Sequence, residues 1–359
     1  MNIGIVTHQL LHNYGGTLQA FALQEVLRRM GHEPITIDYL PNRMTMKRYC
    51  LAQMKTLVYY LTLRRSRHFF PYPHIRRKPE FALFMNKYMD LTERVFNYKS
   101  SILKKYGMEA LIVGSDQVWR GAFNPPSLQP DLYLRFAEKF HGPKIAYAAS
   151  FGTDNWEYSK ELTSECSKYA QLFTAISTRE DSGVLLCNKY LKVKAKGVLD
   201  PTLLLEKEDY MEICREIPNH GNSYLLAYLL DMDIKQKEAI QAFADRNHLQ
   251  PIFCTSEQEI SFSVECWLAL FRDASFVITN SFHGTVFSII NNKNFYSLVS
   301  EFRGTDRFVS LLSRFGLMER LLKDEDQLPE FITPIDWNTV NQTKAEWKED
   351  SLDFLKSNL

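Results

Sequence analysis

The sequence predicts an α/β protein made of two Rossmann-like domains that face each other across a cleft. Short runs of β-branched and aromatic residues alternate with amphipathic segments, and this alternation begins twice, at Ile3–Val6 and at Tyr224–Leu230. Several predicted strands end in polar residues, as in sheets that bind a ligand at their carboxyl edge. A chain of 359 residues accommodates about two domains. We expect a first domain over 1–205, a second over 206–334 and a helical tail over 335–359 that packs on the body.

The composition is ordinary for a soluble globular protein, with 45% hydrophobic and 24% charged residues. The six cysteines show no C-x-x-C spacing, which argues against a zinc site and favours a reduced compartment over a disulfide framework. The N-terminal residues predict a strand and lack the basic start of a signal peptide, and no apolar run reaches the roughly 18 residues of a membrane span. We therefore expect a soluble, cytoplasmic protein that needs no metal and no cofactor.

The first domain is predicted to begin with a β-α-β unit. Ile3–Val6 is a strand, Thr17–Met30 is an amphipathic helix, and Pro34–Tyr39 is the second strand. Gly31 follows the helix directly, where a glycine commonly ends one. The unit places the carboxyl ends of two parallel strands at one edge of the first sheet.

The loop before this helix ends in four residues with an unusual composition, Asn13, Tyr14, Gly15 and Gly16. Paired glycines at such a place allow a ligand or another backbone segment to come close. A tight turn between strand and helix explains the same residues without a ligand, and both interpretations stay open.

The segment 42–78 is strongly basic. It contains ten Lys and Arg residues and no Asp or Glu, which leaves 33 basic and 42 acidic residues in the rest of the chain. A helix packed on the domain with a solvated basic rim explains this pattern. Contact with an anionic membrane surface is the alternative, because basic and aromatic residues suit lipid headgroups. Nucleic acid is a weaker option, because nothing else in the chain resembles a nucleic-acid module.

Three predicted strands between residues 79 and 200 end in small, polar or charged side chains. Ala110–Val113 is followed by Ser115 and Asp116, and Ala175–Thr178 is followed by Arg179. The third of these strands, Ile145–Ala149, ends at a serine. Each ending alone is typical of a cap or a turn, and a helix-capping role for Asp116 is as plausible as a role in a site. The repetition indicates a site at the carboxyl edge of the first sheet.

The second domain repeats the alternation of strands and helices. The predicted elements, in order, are strand Tyr224–Leu230, helix 233–246, strand Ile252–Cys254, helix 265–272, strand Phe276–Thr279, a helix from residue 283, and strand Phe295–Val299. The stretch from 276 to 290 therefore reads as a strand, a turn at Asn280-Ser281-Phe282, and a helix that begins near His283. A helix N-terminus offers N–H groups and a partial positive charge, which favour an anion. His283 is therefore expected to face a small anionic substrate, with a hydrogen-bonded structural histidine as the alternative.

Five motifs together resemble the polysaccharide pyruvyl transferase family. In chain order they are Asn13-Tyr-Gly-Gly-Thr-Leu-Gln-Ala20, Val113-Gly-Ser-Asp-Gln-Val-Trp119, Ser177-Thr-Arg-Glu-Asp-Ser182, Leu199-Asp-Pro201 and Asn280-Ser-Phe-His-Gly-Thr285. The resemblance covers roughly residues 3–300. It implies a GT-B-like fold and transfer of a pyruvate ketal from phosphoenolpyruvate to two hydroxyls of a sugar, with release of phosphate. It also implies that the donor lies between the domains, close to the histidine of the second half.

The candidate residues are assigned roles with the help of this resemblance, except Arg303 and Arg307, which are candidates from their position alone. His283 is expected to act as the acid and base, since histidine suits proton transfer near neutral pH. The donor-binding candidates are Arg179, Ser281, Arg303, Arg307 and the N–H groups of Gly284 and Thr285. The acceptor and cleft candidates are Asn13, Tyr14, Gly15, Gly16, Ser115, Asp116 and Asn280. Some family members carry an Arg two residues before this histidine, where this chain has Ser281.

The expected partners are phosphoenolpyruvate and a sugar or lipid-linked oligosaccharide acceptor, in the synthesis of a capsule, an exopolysaccharide or a cell-wall glycan. The basic segment 42–78 would suit a lipid-linked acceptor at the inner face of the membrane. Two other functions stay open. One is a GT-B-type glycosyltransferase that uses a nucleotide sugar, and the other is a catalytically silent protein that binds a glycan intermediate.

Overall fold

The computed structural model describes residues 1–40, 54, 77–221, 223–255, 262–299 and 304–359. It contains two parallel sheets, one of six strands and one of five, surrounded by helices. The predicted α/β fold with two Rossmann-like halves is confirmed. Arg303 and most of the basic segment 42–78 lie outside the described residues. The membrane contact predicted for that segment therefore stays a prediction.

The first sheet has six strands in the order β2-β1-β3-β4-β5-β6. The strands are β1 (Asn2–Val6), β2 (Glu33–Thr36), β3 (Ala110–Val113), β4 (Lys144–Ala149), β5 (Ala175–Thr178) and β6 (Lys196–Gly197). β1 pairs with β2 on one side and with β3 on the other, so the strand order reverses at β1. In open α/β sheets a crevice forms beyond the carboxyl ends of the strands at such a switch point.

The second sheet has five strands in the order β11-β10-β9-β7-β8. The strands are β7 (Tyr224–Leu229), β8 (Gln250–Thr255), β9 (Phe276–Thr279), β10 (Asn294–Leu298) and β11 (Leu321–Leu322). β7 pairs with β8 and β9, so this sheet also has a switch point at its first strand. The predicted boundary between residues 205 and 206 lies between the last strand of the first sheet and the first strand of the second.

The α-helices connect and cover these strands. They are α1 (Tyr14–Arg29), α2 (Pro79–Tyr88), α3 (Ser101–Lys105), α4 (Lys160–Ala170), α5 (Asp181–Leu186), α6 (Lys207–Ile213), α7 (Ile234–Arg246), α8 (Val264–Asp273), α9 (Phe282–Ile290), α10 (Asp306–Arg314) and α11 (Trp337–Asn358). Because helices cover the sheets, every residue of β3, β4, β7 and β9 is buried. Within the described ranges, no helix combines the length and the hydropathy that a membrane crossing requires.

The first helix starts three residues earlier than the sequence predicts. α1 begins at Tyr14, and the side chain of Asn13 accepts a hydrogen bond from the N–H of Gly16 at 3.0 Å. Asn13 is therefore the N-cap of the helix. Gly15 and Gly16 lie in the first helical turn, not in the preceding loop, so their backbone is fixed at the edge of the cleft.

The two halves are joined directly at Tyr14. Its ring stacks on Trp267 of α8 with a centroid distance of 5.2 Å, and its hydroxyl donates to the carbonyl of Phe262 at 2.7 Å. Burial raises the pKa of the Tyr14 hydroxyl, which therefore stays a donor at neutral pH. The contact holds the N-terminus of α1 against the second half.

The final helix also contacts both halves. Just before α11 begins, Ile335 donates its N–H to Asn294 of β10 at 2.9 Å. Near its end, Ser351 accepts a hydrogen bond from the N–H of Leu199, and Phe354 packs near Tyr147 of β4. α11 therefore starts on the second half and ends on the first.

Candidate active site

The switch points of the two sheets meet at the cleft. Beyond β3, the first half supplies Ser115 and Asp116, both buried. Beyond β9, the second half supplies Asn280 and the first turn of α9, with His283 as its second residue. The polar residues that follow β3 and β9 therefore lie at the same cleft, and His283 is the residue of the second half that contacts the first half there.

The imidazole of His283 lies against Gly15. A Cβ atom built on Gly15 would come within 2.0 Å of His283 Nδ1, closer than any real Cβ contact. Only glycine therefore fits at position 15 while the ring keeps this place. The first turn of α1, in the first half, thus leaves room for the histidine ring of the second half.

The other ring nitrogen of His283 points towards a carboxylate of the first half. His283 Nε2 lies 3.7 Å from Asp200 Oδ2, a distance that allows charge attraction but exceeds a hydrogen bond. The Asp200 side chain is fully buried. Burial alone would raise the pKa of its carboxyl, but His283 and Arg179 outweigh burial and hold that pKa well below its usual range. Asp200 is therefore ionised at neutral pH.

Arg179 occupies the centre of the site and contacts two carboxylates. Its Nη1 donates to Asp200 Oδ2 at 2.8 Å, and its Nη2 donates to Asp116 Oδ1 at 3.3 Å. The guanidinium also lies 4.4 Å from the ring centroid of Phe282, as a cation–π contact. Its side chain is only 1% exposed. The predicted role of Arg179 as a donor ligand stays a prediction, and the structure shows its charge already engaged by protein groups.

Asp116 is held in an unusual backbone conformation. Its φ angle is +72°, in the left-handed region that aspartate tolerates better than most residues. Burial would raise the pKa of its carboxyl, but Arg179 and His8 outweigh burial and lower it. The side chain of Asp116 is thus an anion fixed close to Gly16, where an added Cβ would lie 3.2 Å from Asp116 Oδ2.

A second arginine approaches the same region from α10. Arg307 is buried, and its guanidinium carbon lies 5.5 Å from the ring centroid of Phe282. Burial and the nearby Arg179 lower the pKa of Arg307 to about 9, so the side chain remains positive at neutral pH. Phe282 thus contacts two cations, one from each half of the molecule.

The N-terminus of α9 differs in one respect from the expectation. The N–H of Gly284 donates to Ser281 Oγ at 3.3 Å, and the N–H of Thr285 donates to the carbonyl of Ser281 at 3.0 Å. The prediction that these two N–H groups are available to a donor is therefore wrong. Ser281 is the N-cap, and the N–H groups of Phe282 and His283 begin the helix, where the helix itself supplies no acceptor.

Asn280 has a clear structural role. Its Oδ1 accepts from the N–H of Leu230, and its Nδ2 donates to the carbonyl and the carboxylate of Asp231. The side chain therefore ties the end of β9 to the end of β7 across the second switch point. Ser115, in the first half, also has a structural role, because its hydroxyl donates to Asp200 Oδ2 at 2.8 Å.

A cavity of about 850 Å³ adjoins this second switch point. Acidic, amide and aliphatic side chains line it, among them Asp231, Gln236, Asn280, Val299 and Asp324. Four carboxylates and one lysine are among its lining residues, which gives it a negative balance. The cavity and the arginine pair at Phe282 therefore differ in the sign of their charge.

Sequence reasoning missed Asp200, Glu180 and His8 as members of the site. Glu180 is fully buried, and its Oε1 accepts from the N–H groups of Phe151 and Gly152. His8 approaches the carbonyl of Gln117 with its Nε2 at 2.8 Å. A signal was present for two of them, because Asp200 and Glu180 belong to the motifs that carry the resemblance. Their burial beside Arg179 was not visible without the fold.

A model of the family described as polysaccharide pyruvyl transferase matches residues 13–301 of the chain. The chain belongs to the polysaccharide pyruvyl transferase family. The match begins at Asn13, the N-cap of α1, and extends beyond His283, so it includes site residues from both halves of the molecule. A search of curated proteins finds no match.

Comparison with solved structures confirms the GT-B-like fold. UDP-GlcNAc 2-epimerase from Neisseria meningitidis bound to UDP-GlcNAc aligns with a TM-score of 0.51 at 10% identity, over 98% of this chain and 93% of that one. The S. aureus MnaA–UDP co-structure aligns with the same TM-score and identity, over 98% of this chain and 91% of that one. At such identity the likeness concerns the fold alone. The arrangement of two parallel sheets is thus shared by this pyruvyl transferase family member and these two proteins.

Proposed function

We propose that this protein transfers a pyruvate ketal from phosphoenolpyruvate to two hydroxyls of a sugar, in a polysaccharide or a lipid-linked glycan intermediate. Membership of the pyruvyl transferase family supports the reaction class. The observation that carries the proposal is the position of His283, between Gly15 and Asp200 of the first half, with Arg307 at the adjacent Phe282. In this proposal His283 is the acid–base group, and the neighbouring arginine supports binding of an anionic donor.

The reaction requires proton transfers that a single histidine can carry out. A proton is added to the methylene carbon of phosphoenolpyruvate, and one sugar hydroxyl attacks the neighbouring carbon. The C–O bond to phosphate then breaks, and the second hydroxyl forms the second C–O bond of the ketal. Of the two hydroxyl protons, one ends in the new methyl group and the other leaves with phosphate. His283 accepts and returns these protons in turn.

Phosphoenolpyruvate carries a carboxylate and a phosphate, which both require positive partners. Arg307 supplies a buried positive charge beside Phe282. The N-terminus of α9 adds the N–H groups of Phe282 and His283 and the positive end of the helix dipole. Arg307 is therefore our candidate for the cation that replaces the Arg absent at Ser281.

The acceptor is expected to be uncharged, at least where it enters the protein. The cavity beside Asn280 has carboxylate and amide groups, which accept hydrogen bonds from sugar hydroxyls, and its negative balance disfavours a phosphate. It lies close to the first turn of α9, because Asn280 precedes His283 by three residues. In this arrangement the neutral acceptor binds in the acidic cavity, and the anionic donor binds beside the positive charge of Arg307.

The test is an assay of phosphate release from phosphoenolpyruvate in the presence of a panel of sugars and lipid-linked saccharides. The proposal predicts release that depends on the acceptor, and loss of most activity in His283→Gln with the thermal unfolding midpoint retained. Stabilisation by UDP but not by phosphoenolpyruvate would favour a nucleotide-sugar transferase instead. Binding of a saccharide without any turnover would favour a silent binding protein.

A further inference from the structure

The Asp200 carboxylate is fixed from several directions. Its Oδ1 accepts from the N–H and the hydroxyl of Thr202 at 3.1 and 2.7 Å. Its Oδ2 accepts from Ser115 Oγ and Arg179 Nη1, both at 2.8 Å. Four hydrogen bonds from three residues therefore prevent the carboxylate from rotating, and Oδ2 remains directed at His283.

His283 Nε2 is buried without a hydrogen-bond partner among the described residues. The carboxylate oxygen that faces this nitrogen is Asp200 Oδ2, at 3.7 Å. A buried polar atom left without a partner is unfavourable, so a small movement that shortens this contact is favoured. Catalytic hydrogen bonds are often long in a free enzyme and shorten once substrate is bound.

The guanidinium of Arg179 has few groups left for a substrate. Both of its terminal nitrogens donate to carboxylates, and its plane lies over Phe282. Its Nε has no hydrogen-bond partner in the described part of the chain and lies 3.9 Å from Glu180 Oε2. The side chain is 1% exposed and its charge is already engaged by two carboxylates, which leaves little accessible surface for a donor carboxylate.

The charged groups around the imidazole come from both halves. Asp200 and Asp116 are negative, and Arg179 offsets one of these two charges. Arg307 adds a positive charge near Phe282 from α10. Asp200 is the carboxylate that faces the ring, with its Oδ2 at 3.7 Å from Nε2.

We infer that Asp200 is the positioning residue for His283, and that Arg179 serves this pair instead of binding the donor. The inference deepens the proposed function and rests on it for its kinetic part. Asp200 holds the proton of the neutral ring on Nε2, which leaves Nδ1, the nitrogen beside Gly15, to exchange a proton with the substrate. When a sugar hydroxyl loses its proton to Nδ1, the carboxylate stays ionised and stabilises the charged ring. The acid–base unit is therefore split between the two halves of the molecule.

The first measurement needs no substrate, and its decisive result comes from the wild type. In protein labelled with ¹⁵N-histidine, the ring shifts of His283, assigned by comparison with His283→Gln, report which nitrogen carries the proton in the neutral form. We expect the proton on Nε2 in the wild type and a mixture of both forms in Asp200→Asn. A proton on Nδ1 in the wild type would overturn the inference, even if pyruvyl transfer were demonstrated.

The second measurement is kinetic. We expect Asp200→Asn to lower kcat at least about 100-fold, with the KM for phosphoenolpyruvate changed less than about threefold. Arg179→Lys should lower kcat in the same way. An increase of tenfold or more in that KM, with kcat retained, would return Arg179 to the role of a donor ligand and overturn the inference.

The matched control is Asp209→Asn. Asp209 forms another Asp–Arg pair between the halves, with Arg29 at 2.8 Å, away from the histidine. We expect this variant to keep kcat within about twofold. If the wild type released no phosphate with any acceptor, the proposed function would fail, whereas the proton position on His283 would still test the pairing with Asp200.

Discussion

Asp200 Oδ2 and His283 Nε2 lie 3.7 Å apart, although the two residues come from different halves of the chain. The contact exists only because the carboxyl edges of the two sheets face each other. Asp200 is ionised, because the adjacent His283 and Arg179 lower its pKa despite burial. The same pair of side chains therefore carries both the proposed proton transfer and a measurable contribution to stability.

The pH dependence of stability follows from the lowered pKa of Asp200. A carboxyl whose pKa is lower in the folded state stabilises the protein above its unfolded pKa of about 4, and this contribution is lost as the pH falls through the folded pKa. Asp116 acts in the same direction. We expect the free energy of unfolding, measured with urea between pH 3 and 7, to fall below about pH 4.

Replacing Asp200 should reduce that pH dependence. Asp200→Asn leaves Arg179 without its shortest ionic partner, so we expect a loss of about 3–5 kcal/mol at pH 7. Because the variant has one fewer carboxyl with a lowered pKa, its stability should fall less between pH 5 and 3 than that of the wild type. An identical slope in both proteins would contradict the assigned ionisation of Asp200.

Gly15→Ala should damage activity more than stability. The added methyl group would meet His283 Nδ1 at 2.0 Å, so the ring must move away from its place beside the N-terminus of α1. A displacement of about 1 Å is enough to lower a rate by about 100-fold, and we expect kcat to fall by that order. Gly114→Ala is the matched control, because its added Cβ would find its nearest atoms at 3.5 Å, an ordinary contact. Equal rates in the two variants would show that the ring does not need its present position.

Arg307 is expected to determine the affinity for the donor. Arg307→Gln removes a buried positive charge beside Phe282, and a charge-assisted hydrogen bond contributes about 1.5–3 kcal/mol. We therefore expect the KM for phosphoenolpyruvate to rise by about 10- to 100-fold, with a smaller rise in Arg307→Lys. Arg215→Gln, which changes an exposed arginine, serves as the control. An unchanged KM in Arg307→Gln would assign the donor to other cations.

Filling the acidic cavity should affect the acceptor alone. Val299 lines this cavity, and a tryptophan there would occupy part of its volume of about 850 Å³. We expect Val299→Trp to raise the KM for the sugar at least tenfold while the KM for phosphoenolpyruvate stays within about twofold. Ala345→Trp, in a groove beneath α11, is the matched control. If Val299→Trp changed neither constant, the acceptor would bind elsewhere in the cleft.

The strands and the position of His283 were predictable from sequence. Buried parallel strands are continuous apolar runs, so Ala110–Val113, Ala175–Thr178 and Phe276–Thr279 have the same limits in the prediction and in the structure. A histidine that follows such a run by four residues falls at the carboxyl edge of the sheet by geometry alone. Hydrophobic periodicity was therefore almost sufficient to predict the fold and the position of His283 at this edge of the sheet.

The partners of these residues were not predictable in the same way. Arg179 has the chemistry of an anion ligand, and only the fold shows that Asp200 and Asp116 already neutralise it. Likewise, the sequence cannot tell which N–H groups of a helix start are free, because Ser281 is able to cap its own helix and does so. Periodicity predicts where an element lies, whereas the contacts across the cleft depend on residues that are distant in the chain.

The course of α11 also constrains how the molecule is made. Ser351 accepts the N–H of Leu199, which the ribosome adds 152 residues earlier, and Phe354 covers Tyr147 of the first sheet. The first domain therefore cannot complete its own packing while it is being synthesised, and it waits for a segment that follows the whole second domain. Until then the first sheet lacks part of its packing, and a partly folded domain of this kind is prone to aggregation. A chain cut before α11 would leave both domains incomplete, even though His283 and Asp200 would still be present.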